Sequence, residues 1–230
     1  VDGVVTLFTM PRPDWQGQKA AWWQALVKAA TVVECDPVER AQLPQWLAGR
    51  MRANGQTAAR DVLEAFADLV EGNLLAAKQE VGKLSLLFPQ GELTLEQIEA
   101  SVGNCSRYTT EALVESFCTA SADRTARIVD GLEAQGEPLP FLLAILTNQI
   151  RSLIKLRASF ETSGNLYVKG VFATNAMKAA ARRIPLKRLA AALDVCADID
   201  RLSKGLTVRE RDGDPWIELK SVCLFLARTR

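Results

Sequence analysis

The sequence predicts a mainly α-helical chain: a short βαβ piece, then a three-helix bundle, then a larger all-helical domain. Three observations carry this. Apolar residues recur at helical spacings of three and four along most of the chain after Asp36. Helix-opening signals such as Asp214-Pro215 and Thr94-Leu95-Glu96-Gln97 punctuate that pattern. The two β-branched runs that suit buried strands, 4–9 and 31–35, fall at the start.

Val4-Val5-Thr6-Leu7-Phe8-Thr9 reads as a strand, broken by Met10-Pro11-Arg12-Pro13-Asp14. Lys19 to Ala30 reads as a helix with Trp22, Trp23, Leu26 and Val27 on one side, and Thr31-Val32-Val33-Glu34-Cys35 as a second strand. Strand, helix, strand at this spacing is a βαβ unit with parallel strands. Two strands make no stable sheet alone, so the rest of the sheet is expected elsewhere. The chain also opens on Val-Asp-Gly without an initiator Met, as though cut from a longer protein.

Asp36-Pro37 is expected to cap a helix that runs to about Ala53 and stops at Asn54-Gly55. A second helix over 57–71 places Val62, Leu63, Phe66, Leu69 and Val70 on one face, and a third places Leu74, Ala77, Val81, Leu84 and Phe88 together. Pro89-Gln90-Gly91 ends this bundle. The capping box at Thr94 opens a short helix to about Val102, interrupted by Gly103-Asn104. Further helices are expected near 109–120, 122–135, 138–160, 172–183, 186–204 and 214–228, with Gly205 as a left-handed cap.

Composition excludes several chemistries. There is no histidine, which removes Ser-His-Asp and Cys-His nucleophilic schemes within these residues. The five cysteines, at 35, 105, 118, 196 and 223, are odd in number and lack C-x-x-C spacing. They read as reduced core residues rather than zinc ligands or a disulfide framework. No phosphate loop or G-x-G-x-x-G fingerprint is present. Asp194, Asp198 and Asp200 form the tightest acidic group; helix pairing with Arg201 and Lys204 explains it better than a metal. No cofactor or metal is expected, and no catalytic residue. No apolar run approaches the length of a membrane span, and no signal peptide is visible.

Charge is more informative. Residues 151–188 hold nine basic side chains (Arg151, Lys155, Arg157, Lys169, Lys178, Arg182, Arg183, Lys187 and Arg188) against one acid, Glu161. Such a stretch suits phosphates or an acidic partner, or is an ordinary solvated face. The tryptophans at 15, 22, 23, 46 and 216 read mainly as packing residues, and Arg209-Glu210-Arg211-Asp212-Gly213-Asp214 as a charged connection.

Particular stretches carry a resemblance. They are Ala41-Gln42-Leu43-Pro44-Gln45-Trp46, Glu71-Gly72-Asn73-Leu74-Leu75-Ala76, Leu84-Ser85-Leu86-Leu87-Phe88-Pro89 with Gly91, Leu93 and Thr94, and Trp216-Ile217-Glu218-Leu219. With these the chain resembles the delta-subunit family of bacterial DNA polymerase III clamp loaders, starting partway through such a protein. The resemblance is dense over 36–95 and looser over 160–213.

The resemblance implies an AAA+-like organisation: 1–35 as the remnant of the first domain, 36–92 as a helical lid and 93–230 as a helical collar. It implies no ATP hydrolysis, a place in a DNA-directed DNA polymerase holoenzyme (a nucleotidyltransferase), and a cytoplasmic location. Implied partners are other loader subunits through the collar, the sliding clamp through a region upstream of these residues, and primer–template DNA. No membrane is implied. Leu75 stands where ATPase relatives carry a nucleotide-sensing arginine. Phe172 and Arg211 are candidate DNA neighbours. Arg182, Arg183, Lys187 and Arg188 are candidate DNA or partner contacts. Two other readings stay open: the lid and collar of a loader ATPase or delta-prime subunit, and an unrelated helical DNA-binding regulator.

Overall fold

The computed structural model describes residues 3–103 and 105–228. Val1, Asp2 and Asn104, which figure in the sequence reading, lie outside that range. The chain divides into two compact units, 1–38 and 39–230.

In the first unit a 3-10 turn, Gly17–Lys19, leads into helix α1, Ala21–Ala29. The Asp14 carboxylate accepts the Gly17 N–H at 2.7 Å, and the Gln18 amide donates to the Pro13 carbonyl at 2.8 Å. Lys19 Nζ lies 3.4 Å from the Trp15 ring centroid, and Trp22 meets Trp23 edge-on at 5.8 Å. The two expected strands do not form: 4–9 and 31–35 belong to no ladder. Their β-branched residues have the right propensity, but two short segments cannot satisfy their backbone groups without further strands. Among the described residues of this unit none is buried; Val5 is 94% exposed and Leu7 85%.

The second unit begins with helix α2, Leu43–Ala53, then strand β1, Gln56–Ala58, and helices α3, Arg60–Val70, and α4, Leu74–Leu87. Strand β2, Gly91–Leu93, follows and pairs with β1 in parallel, Gln56 opposite Gly91 and Ala58 opposite Leu93. The parallel pair thus sits in the three-helix bundle, with α3 and α4 as its crossover, and not in the first residues where the sequence placed it. Asp36-Pro37 does not open α2. The helix starts where its buried face starts, at Leu43, Pro44, Leu47 and Met51, because a short helix without such a face is marginal. Asp36 instead accepts from Arg12 at 3.4 Å.

Gln56 ties the bundle together. Its buried amide donates to the carbonyls of Leu84 and Phe88, both at 3.1 Å, and so caps the C-terminus of α4 from β1. Val62, Phe66 and Val70 of α3 and Ala77, Val81 and Leu84 of α4 supply the buried side chains. Helix α5, Leu95–Ser101, carries the expected capping box of Thr94 and Gln97 and packs on α3.

Six helices complete the unit: α6, Thr110–Cys118; α7, Ala122–Ala134; α8, Leu139–Ser163; α9, Asn175–Arg183; α10, Leu186–Ser203; and α11, Pro215–Ala227. They share one apolar core running from Tyr108 to Ala227. The 25-residue α8 is long and apolar enough by length and composition to cross a membrane. Here Leu142, Leu146, Ile150, Leu153 and Leu156 of α8 are buried among the other helices. Its neighbour α10 ends as expected at Gly205, φ 76°, where Leu206 N–H reaches the Arg201 carbonyl at 3.1 Å. Asp214 caps α11 through the Trp216 N–H at 2.8 Å. The architecture is mainly helical, as the sequence predicts.

Candidate functional site

Each candidate residue has a defined setting. Leu75 lies in the first turn of α4, 67% exposed. The preceding Asn73 fixes that turn: its side-chain oxygen accepts the Ala76 N–H at 3.1 Å while its amide donates to the Cys105 carbonyl at 3.1 Å. Leu75 therefore presents an apolar, uncharged side chain to solvent at the start of a helix.

Phe172 is 91% exposed, and Tyr167, which the sequence reading passed over, is 74% exposed. Both belong to the connection between α8 and α9. That connection is pinned rather than loose. Tyr167 N–H bonds the Asn165 side chain at 3.0 Å, and Val171 N–H closes a turn onto the Val168 carbonyl at 3.0 Å. Gly170, φ 81°, takes the left-handed position of that turn. Leu166 is buried, and Val168, Val171 and Ala173 pack against the core. A well-anchored backbone thus holds two aromatic rings in solvent, with Lys169 between them in sequence.

The arginines divide. Arg183 is turned inward, donating to the carbonyls of Leu226 and Arg228 at 3.0 Å and of Phe117 at 2.7 Å. It joins the C-terminal ends of α6 and α11, where free carbonyls favour a cation. Burial holds its pKa below the usual arginine value; Cys118 opposes this and Arg188 adds to it. Arg188 donates to the same Arg228 carbonyl at 3.0 Å and lies 4.9 Å from the Phe225 ring centroid. Arg182 and Lys187 are exposed, Arg182 at 6.0 Å from the Phe160 ring centroid. Arg157 reaches back to the Arg182 carbonyl at 2.7 Å, so part of the basic stretch serves to cap helices.

Arg211 is committed internally. It pairs with Asp198 of α10 at 2.9 Å and lies 3.4 Å from Glu218 of α11, while Glu218 also accepts the Asp212 N–H at 3.0 Å. The connection before α11 is held by this three-residue ion cluster. Asp198 further pairs with Arg201 at 3.3 Å, and Asp200 with Lys204 at 2.5 Å, the helical pairing that the sequence suggested. Among the described residues no cluster of metal-ligating side chains is found.

The candidate site thus consists of a pinned aromatic loop, exposed basic side chains near it in sequence, and a bundle whose α4 opens on leucine. Its curated homologues are DNA polymerase III delta subunits. The chain is similar to the protein of that name from Escherichia coli (strain K12), 31% identical over 140 residues, covering 61% of this chain and 41% of that protein. It is similar to the one from Haemophilus influenzae, 28% identical over 125 residues, covering 54% and 36%. It thus spans about two-fifths of the length of the curated relatives it matches. Among solved structures, the Bacillus subtilis DNA clamp loader delta protein YqeN aligns with a TM-score of 0.46 and 21% identity, covering 92% of this chain and 63% of that one. No family model matches.

Proposed function

We propose that this chain is the lid and collar part of a delta-type subunit of a bacterial DNA polymerase III clamp loader. The single observation that carries the reading is the 31% identity over 140 residues to a curated delta subunit. In this reading residues 1–35 are what is present of the first domain, 36–92 form the lid and 93–230 form the collar. The subunit works in the cytoplasm as a part of the polymerase holoenzyme. It helps to open the sliding clamp and load it on primed DNA, contacting the clamp through a region outside these residues and the other loader subunits through α6–α11.

The subunit hydrolyses no ATP. Leu75, exposed and uncharged, supports this, because it offers nothing to a nucleotide phosphate. The same side chain speaks against the loader-ATPase alternative. Phe172 and Tyr167 supply the DNA contact: exposed rings on a fixed loop stack on unpaired bases, and the exposed cations Lys169, Arg182 and Lys187 meet phosphates. Arg183, Arg188 and Arg211 play a supporting part by holding the ends of α6, α10 and α11 in place.

The test is reconstitution. Purified chain is mixed with the remaining loader subunits and run on a sizing column. Co-elution with them is expected; a well-folded chain that stays apart overturns the reading.

A further inference from the structure

Between the β1–β2 bundle and the six-helix domain, acidic residues at the C-terminal end of α3 are each gripped from both sides. Glu71 is 6% exposed. Its carboxylate meets Arg124 of α7 at 2.5 Å and, on the other oxygen, lies 3.8 Å from Arg40, just ahead of α2. Asp68 repeats the arrangement: Arg40 at 2.7 Å on one oxygen and Arg127 of α7 at 2.7 Å on the other. Arg124 also holds Glu115 of α6 at 3.2 Å, and Arg40 holds Glu64 at 2.9 Å. Burial acts to lower the pKa of Arg124, but its hydrogen bond and charge contact with Glu71 outweigh this and leave the pKa raised.

The backbone makes a second set of ties across the same seam. Leu69 and Glu71 carbonyls accept the N–H groups of Cys105 and Arg107, both at 2.8 Å. The Asn73 amide binds the Cys105 carbonyl at 3.1 Å. The connecting strand of chain is thus stitched to the α3–α4 turn, and does not hang as a free linker between the two parts. Carboxylates that are buried or largely buried and doubly paired to forked guanidinium partners are held more firmly than isolated surface pairs.

We infer that Glu71 and Asp68 clasp the α2–α4 bundle to α6 and α7, so that the two move and unfold as one mechanical body. A force applied to the bundle is delivered to α6 and α7 without a hinge. The inference is independent of the loader reading, since it rests on these contacts alone.

Peptide-resolved hydrogen exchange of the 230-residue chain at rising urea tests it. In the unaltered chain, α2–α4 and α6–α8 are expected to lose their slowest-exchanging amides at the same urea concentration. Glu71→Gln combined with Asp68→Asn is expected to separate them, with α2–α4 exchanging at least about tenfold faster. Glu64→Gln, which touches only the pair inside the bundle, is expected to leave them together. Arg124→Gln, which keeps both bundle-side carboxylates on Arg40, serves if the double variant does not fold, and is expected to separate them by a smaller margin. Separate transitions in the unaltered chain, or coincident ones in the clasp variants, overturn the inference.

Discussion

The Gly72 α-carbon faces the Arg107 backbone so closely that a β-carbon built on it would stand 2.0 Å from the Arg107 carbonyl oxygen. Gly72 also has a φ of 75°, a region that only glycine enters at low cost. Gly72→Ala is therefore expected to cost about 3 kcal/mol or more, because the clash and the strained backbone add. Urea denaturation measures it. A loss under about 1 kcal/mol would mean that the two backbones part easily.

Gln56 predicts a different kind of loss. Gln56→Leu keeps the bulk of the side chain but removes the donor that caps α4, so the Phe88 carbonyl loses the Gln56 amide and the Leu84 carbonyl keeps only the Phe88 N–H. A cost of about 1–3 kcal/mol follows. Amide exchange should rise first in the last turn of α4 and in β2, a pattern that simple loss of packing would not give.

Arg183→Met should destabilise the six-helix domain by about 2 kcal/mol or more, since it strips a shared donor from the ends of α6 and α11. Arg183→Lys should recover only part, because an ammonium cannot fork between two helix ends. Thermal unfolding of both variants, and an unchanged helical signal at low temperature, check this.

The buried thiols predict a pH dependence. Burial pushes Cys118 and Cys196 up to about 12 from an ordinary 9.0, and Cys223 upward as well. In the unfolded chain these thiols ionise from about pH 9, whereas in the folded chain they keep their protons. The stability linked to them is fully present below pH 9 and is lost as pH rises toward 12. Each contributes a slope of about 1.4 kcal/mol per pH unit in that window. The urea midpoint should accordingly fall as the pH is raised above about 9. Alkylation at neutral pH should label exposed Cys35 and spare Cys118, Cys196 and Cys223 until the chain unfolds.

On the proposed function, Phe172→Ala with Tyr167→Ala should weaken primer–template binding by the assembled loader about tenfold, as stacking on one or two bases is worth about 1–3 kcal/mol each. Both rings are exposed, so the stability of the chain should not change. Fluorescence anisotropy with labelled DNA reads the first effect and thermal unfolding the second.

The helices were legible because their signals are local: periodic apolar positions, the Thr94 capping box, the Asp214-Pro215 opening and the Gly205 cap are all read within a few residues. The small sheet was not. Gln56-Thr57-Ala58 and Gly91-Glu92-Leu93 are three residues each and have little β-propensity; they pair because α3 and α4 bring them side by side. The reverse held at 4–9 and 31–35, where propensity is high and a third strand is wanting. Of the candidate surface residues, Arg211 read only as part of a charged connection because its partners Asp198 and Glu218 sit 13 and 7 residues away on different helices. Tyr167 had no pattern to announce it; only the pinned turn shows that its ring is held outward.

The parallel pairing of Gln56–Ala58 with Gly91–Leu93 also governs where this chain can be cut. A fragment that stops at residue 92 severs the second strand, leaves the first with an open edge, and takes Leu93 (3% exposed) out of the interior. Shortened versions intended to isolate the bundle should extend past the α5 helix, to residue 101 or beyond, if they are to be soluble rather than sticky.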